Sequence, residues 1–363
     1  MKNTFGNNVT ITIFGESHGE GIGAILDGMA PGIPVDKDFL ISQMDKRRAK
    51  GRISTQRHES DEVEILSGVF EGKTTGTPIC FVIKNNNTQS NDYSDTRYLA
   101  RPGHADYTAY QKYHGFEDYR GGGHFSGRIT AGLVAAGAVA ISALKQKGIY
   151  IGTHIKKCAG ISDREFDDIL NDINYLNTTD FAVLDNIASQ KMNDAIERAA
   201  NDGDSVGGIL ETAVTGLPAG VGEPWFDSVE SMISHILFSV PAVKGVEFGS
   251  GFEMADMNGS AANDPFYTDG KTTSTLTNHN GGINGGITNG MPLVVRCAIK
   301  PTPSIYKQQN TINFETNQNA ELVIKGRHDP CIIHRARVVA DSAIAIALCD
   351  MLSTHFGTDW LKG

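Results

Sequence analysis

The chain has 363 residues, 40% of them apolar, which is enough to bury a large core as one large domain or two smaller ones. A charged fraction of 20% is ordinary and does not suggest a disordered chain, and a net charge of -10 argues against a general nucleic-acid or membrane binder. An acidic protein with an acidic ligand must gather its positive charge locally, so clusters of Arg and Lys carry the most information.

Met1 to Thr10 has no apolar signal core. Val9, Ile11 and Ile13 alternate with threonines, which predicts a strand. The turn Gly15-Glu16-Ser17-His18-Gly19 follows, then a second strand over Gly23 to Asp27. Asp36 predicts the cap of a helix running to about Arg48, with Leu40 and Met44 on one face. Val63 to Val69 and Ile79 to Lys84 read as strands, and Asn85 to Asp106 as a polar loop in which Asp106 caps a short helix through Tyr113. Gly121-Gly122-Gly123 opens onto a helix of small residues, Ile129 to Lys147, stopped by Gly148. Its most apolar part, Ala131 to Leu144, is too short to span a bilayer and reads as buried. Further helices are predicted over Ser189 to Ala200, from a capping box of Asp227 and Glu230 to near Phe238, and over Ala340 to Met351. Cys80, Cys158, Cys297, Cys331 and Cys349 form no C-x-x-C pair and read as reduced thiols of a cytosolic protein.

An internal repeat runs through this pattern. GAILDGMAPG (Gly23 to Gly32) and GILETAVTGLPAG (Gly208 to Gly220) each read as strand, turn, then a helix opening at an aspartate, Asp36 or Asp227. Gly76-Thr77-Pro78 to Lys84 matches Gly290-Met291-Pro292 to Lys300. The expectation is two similar halves around a site, or else chance likeness between Gly-rich strands. With no Pro- or Ser-rich linker, residues 1–363 read as a single α+β domain of mixed or antiparallel sheets and surrounding helices.

Six stretches could carry chemistry. His18, in its glycine turn, is either a proton donor near neutral pH or an ordinary turn histidine. The run Lys46, Arg47, Arg48, Lys50, Arg52 and Arg57 suits bidentate binding of phosphate or carboxylate, with Ser54 and Thr55 adding hydroxyls. It is also followed by Glu59, Asp61, Glu62 and Glu64, so self-pairing is the alternative. Arg101-Pro102-Gly103-His104-Ala105-Asp106 offers an anion holder and an acid or base. Tyr119 to Arg128 places three glycines before a helix, an anion cradle of backbone N–H groups that fits neither the dinucleotide fingerprint nor a Walker loop. Asn280 to Gly286 and Lys300-Pro301-Thr302-Pro303-Ser304 suit close approach to a flat ligand with a phosphate tail. In Lys325-Gly326-Arg327-His328-Asp329-Pro330-Cys331, Asp329 is a candidate base or the partner of Arg327 in a salt bridge. No metal-ligand spacing is present.

Taken in this order, FGESHG, RPGHADYT, DYRGGG, NGGI-x-GGI, KPT and KGRHDPC resemble the chorismate synthase family from about Phe5 to Leu348. The resemblance implies a β-α-β sandwich with a pseudo-twofold internal repeat. It implies an anti-1,4-elimination of phosphate from 5-enolpyruvylshikimate 3-phosphate to chorismate, with reduced FMN and no net redox change. His18 would protonate the departing phosphate, His104 would serve the flavin N1 region, and Asp329 would act with flavin N5 in removing hydrogen. Arg47, Arg52, Arg101, Arg128 and Arg335 would clamp substrate anions, with Arg47 and Arg52 also matching NADPH positions. Flavin contacts would fall on His124, Phe125, Ser126, Pro241, Ala242, Gly285, Lys300, Pro301, Thr302, Pro303, Ser304 and Arg327. The sequence shows no flavin-reductase segment of the fungal bifunctional kind. The resemblance therefore implies an outside flavin reductase, with NADPH as an indirect reductant, together with a cytoplasmic homotetramer. The competing classes are an NADPH-consuming flavin oxidoreductase and a nucleic-acid binder using Lys46 to Arg57.

Overall fold

The computed structural model describes residues 2–49, 51, 53–54, 61–86, 97–324 and 328–362. The architecture is α+β with two five-stranded antiparallel sheets. In the first sheet the spatial order is Thr4–Phe5, Thr10–Gly15, Gly21–Asp27, Ile79–Lys84, Val63–Ser67. In the second it is Ile161–Ser162, Tyr150–Cys158, Gly208–Thr215, Leu293–Ile299, Val243–Phe248. Ile22 lies opposite Ile83 in the first, and Gly208 opposite Ile299 in the second. The strand Leu293–Ile299 alternates strictly, burying Leu293, Val295, Cys297 and Ile299, as a sheet with one face on a core requires.

Eight α-helices are described: α1 (Lys37–Arg47), α2 (Asp106–Tyr113), α3 (Thr130–Gln146), α4 (Ile169–Thr178), α5 (Asn186–Asn201), α6 (Val229–Ser239), α7 (Gly259–Ala262) and α8 (Ile333–Phe356). Helix α3 packs on the first sheet through Gly21–Asp27, α8 on the second through Tyr150–Cys158, and the two helices pack on each other. Small residues set this spacing. A Cβ on Gly132 would lie 2.7 Å from the Gly23 carbonyl, and one on Gly137 would lie 2.2 Å from Cβ of Ser342 in α8. The N- and C-terminal regions are stitched together by Asp350 of α8, whose carboxylate accepts the N–H groups of Asn7, Asn8 and Val9 at 2.7–3.1 Å.

Asp36 caps α1 as expected, accepting from the N–H groups of Asp38 and Phe39, and Leu40 and Met44 are buried. Other expectations are corrected. Ser228, not Asp227, caps α6, accepting from the Ser231 N–H. Asp106 does not cap α2, because its carboxylate is taken by Arg101. The apolar helical stretch is longer than expected: Gly127–Gln146, at 20 residues, is long and apolar enough to cross a membrane, but 78% of its most apolar window is buried inside the protein. The last helix extends well beyond Ala340 to Met351 at both ends. Helix α4 was not anticipated. Its last turn is held by the fully buried Arg337, which donates to the carbonyls of Leu176, at 3.1 Å, and Thr179. All five cysteines are free thiols, four buried and Cys80 half-buried.

Candidate active site

A cavity of about 1090 Å³ opens where the two sheets and the ends of several helices meet. Its walls come from Ile11 and Ile13 of the first sheet, the end of α1, the Gly103–Ala105 turn, the 121–130 segment, the end of α6, Lys300, Thr302 and Pro303, and the start of α8. Ligand pockets of single small molecules are usually ~300–1,000 Å³, so this one has room for two ligands in contact.

One wall is cationic. Arg47, Arg128 and Asp61 are all buried and all line the cavity. Arg47 Nη1 donates to Asp61 Oδ2 at 3.0 Å, and Arg128 Nη1 donates to the other oxygen of the same carboxylate. Burial alone would raise the Asp61 pKa, but the Arg47 and Arg128 guanidiniums pull it below the usual carboxylate range. Arg47 also donates to Thr130 Oγ1 at 3.2 Å and to the Arg128 carbonyl at 3.0 Å, while Arg128 Nε reaches Asn85 Oδ1 at 3.2 Å. The self-pairing alternative for the basic run therefore holds for Arg47, without removing it from the cavity. Arg52 and Arg327 lie outside the described residues.

At the start of α8, Arg335 joins two parts of the site. Its Nη1 donates to Asp329 Oδ2 at 2.6 Å, and its Nε donates to the Arg47 carbonyl at 2.7 Å. Asp329, Arg335, Ala336 and Val339 all face the cavity.

His104 also lines the cavity, and its Nε2 lies 2.9 Å from Ser304 Oγ. Burial, then the Arg101 charge and more weakly that of Lys300, lowers the His104 pKa to about 4, so the ring is neutral at pH 7. Lys300 Nζ donates to the Gly103 carbonyl at 2.5 Å. Thr302 Oγ1, on the same wall, is buried without a hydrogen-bond partner among the described residues. Arg101 is gripped by Asp106 through Nε and Nη2, at 2.7 and 2.6 Å. It lines a smaller cavity of about 40 Å³ that shares His104, Ala105, Gly122 and Phe125 with the large one.

His18 is buried one layer behind this surface and is not itself a lining residue. Its Nδ1 lies 3.1 Å from Ser17 Oγ. Gly121, which does line the cavity, covers it so closely that a Cβ there would sit 2.1 Å from the imidazole Cε1. Gly121, Gly122 and Gly123 have φ of 61°, 101° and 52°, a backbone path that side chains would oppose. His124 Nδ1 pins the segment to the Gly15 carbonyl at 2.7 Å, and Ser126 Oγ accepts from the Arg128 N–H at 3.2 Å. Phe125 is 40% exposed at the rim.

Pro241, Ala242, Thr302 and Pro303 line the cavity, whereas Pro301 and Ser304 do not. Ala242 holds a φ of 76°, and its carbonyl accepts the Lys300 N–H at 3.0 Å. Gly285 sits in a separate short hairpin, Ile283–Asn284 with Ile287–Thr288, away from the lining residues. Sequence reasoning missed the apolar surface of Phe5, Ile11, Ile13 and Leu133, and it missed His235, which meets Phe5 edge-on at 5.3 Å. It weighed Asp61 only as one acid in a charged run.

The family model described as chorismate synthase matches residues 9–353. The chain belongs to the chorismate synthase family. Among curated chorismate synthases, that of Dehalococcoides mccartyi is 45% identical, over 97% of this chain and 96% of its own. That of Thermococcus kodakarensis is 44% identical over 96% of each chain. That of Lachnoclostridium phytofermentans is 46% identical over 99% of this chain and 98% of its own. A crystal structure of chorismate synthase superposes with a TM-score of 0.75 at 28% identity, covering 97% of this chain and 94% of that one. The cavity brings together His104, Asp329, Arg47, Arg128 and Arg335 from distant stretches of the chain.

Proposed function

We propose that the chain eliminates phosphate from 5-enolpyruvylshikimate 3-phosphate to give chorismate, the activity its family is named for. The observation that carries this is the joint placement of His104, Asp329, Arg47, Arg128, Arg335 and Lys300 on one cavity of about 1090 Å³. A phosphate ester with two carboxylates needs several cations, and guanidiniums match both groups bidentately.

The residues also fit reduced FMN. An apolar wall of Ile11, Ile13 and Leu133 suits a flat ring system, and the orphaned Thr302 hydroxyl beside Lys300 offers contacts to polar tail atoms. His124, Phe125, Ser126, Pro241, Ala242, Pro303 and, from behind, Pro301 and Ser304 complete this side, with Arg327 and the more distant Gly285 as further candidates. Reduced FMN, when bound, would supply an electron for breaking the C–O bond and take it back as hydrogen is lost. The protein's part is binding and proton handling. His18 supplies a proton to the departing phosphate from beneath Gly121, and a neutral His104 offers a hydrogen bond at the flavin N1 region. Asp329, held by Arg335, accepts the substrate hydrogen as a proton. Arg47, Arg101, Arg128 and Arg335, with Arg52, hold the substrate anions, and Arg47 and Arg52 are the candidate contacts for NADPH as an indirect reductant.

The remaining expectations join this reading. They are a single domain, a cytoplasmic homotetramer, an outside source of reduced flavin, and no nucleic-acid or membrane partner. The family's β-α-β sandwich with an internal twofold is supported by the matching strand orders of the two sheets and by the facing pair α3 and α8. The test is anaerobic. Chemically reduced FMN and 5-enolpyruvylshikimate 3-phosphate should yield chorismate and phosphate in equal amounts, with flavin needed only catalytically. Stoichiometric NADPH oxidation would favour an oxidoreductase instead.

A further inference from the structure

We propose that Asp61 is a positioning residue for the anion-binding wall: one carboxylate, one oxygen to each guanidinium, sets Arg47 and Arg128 side by side at the cavity. The inference rests on the reading that this cavity takes an anionic phosphate ester. Arg47 comes from the end of α1, and Arg128 from the turn before α3. Two guanidiniums brought together repel each other, and a carboxylate between them offsets that repulsion. The side chain of Asp61 is only 1% exposed, which a carboxylate tolerates only when paired as it is here. Its backbone has a φ of 45°, a left-handed conformation that Asp adopts more readily than most residues. The backbone therefore turns sharply to deliver this side chain between the two arginines.

Positioning and plain charge make opposite predictions. If Asp61 merely diluted the positive wall, its removal would tighten anion binding. If it positions the guanidiniums, its removal loosens binding. The measurement is anaerobic steady-state kinetics of the full chain with reduced FMN, together with inhibition by inorganic phosphate. Absence of chorismate from the wild-type protein would sink the functional reading itself, and is settled before any variant is made. Given wild-type turnover, Asp61→Asn should raise KM and the phosphate inhibition constant about tenfold, the loss expected from one misplaced charge-assisted hydrogen bond, with a smaller change in kcat and unchanged flavin affinity. Asp61→Glu, which restores the charge one methylene further out, should recover part of that loss. Unchanged or tighter values in Asp61→Asn would overturn the proposal. Should Asp61→Asn fail to fold by circular dichroism, Asp61→Glu is read alone, and an unaltered KM there overturns it equally.

Discussion

The neutral imidazole of His104 constrains what that residue can do. With its pKa lowered to about 4, it is at pH 7 a neutral hydrogen-bonding group held by Ser304, not a standing cation. Replacing it by Ala should cut turnover ~100-fold or more, as should His18→Ala, with the circular dichroism spectrum retained. Near-normal turnover in either variant would remove that residue from the mechanism. Asp329→Asn should keep flavin binding, read from the flavin spectrum, and lose turnover. A second buried imidazole affects stability. His334 accepts or shares a hydrogen bond with Ser54 at 2.6 Å, and burial, with Arg335 and Arg337 adding to it, lowers its pKa to about 3 from 6.5. Because the folded state holds this ring neutral, its contribution is complete above pH 6.5 and is lost as pH falls towards 3. Carboxylates held low by their partners, such as Glu211 at about 2, weaken the fold only below about 4.5. Among the other buried imidazoles His104 shifts the same way and His154 the opposite way, so the urea midpoint should fall less between pH 6.5 and 5 in His334→Gln than in the parent.

At the scale of elements, the structure explains which parts of the sequence were readable. Helix α1 was legible because Asp36, Leu40 and Met44 fall where cap and buried face must be. The caps assigned to Asp106 and Asp227 were not, since an aspartate caps only when no stronger donor competes, and Arg101 claims the first while Ser228 is better placed than the second. The strand Tyr150–Cys158 was missed because it is covered on both faces. Thr153 and His154 are both fully buried, one towards Asp341 of α8 and the other between Asp163 and Glu211, so no alternation shows. The stretches that carry His104, Arg47 and Arg128 stood out in the sequence, but Asp61 did not, because pairing across distant segments leaves no local trace. The small residues between α3 and α8 give this scale its own prediction. Gly137→Leu should destabilise the protein by about 2 kcal/mol or more, read as a lower unfolding midpoint, because the added side chain starts 2.2 Å from Ser342. An unchanged midpoint would mean the two helices can part without cost.

For the whole molecule, the balance of charge matters more than its sum. A chain with net charge -10 places Arg47, Arg128, Arg335 and Lys300 on a single cavity. Screening shortens from a reach of ~10 Å at 0.1 M salt to ~3 Å at 1 M, so KM for the anionic substrate should climb with added KCl while kcat changes less. A flat KM would mean that these cations do not meet the substrate. The clasp of Asp350 on Asn7, Asn8 and Val9 carries a different kind of consequence. During synthesis the first segments leave the ribosome some 340 residues before their fastener does, as the sequence separations of 341 to 343 require. The earliest strands must wait, unlatched, until α8 is made, and α8 also brings Arg335 and Val339 to the cavity. A nascent chain stalled short of this helix would thus lack its latch and one side of its large cavity together.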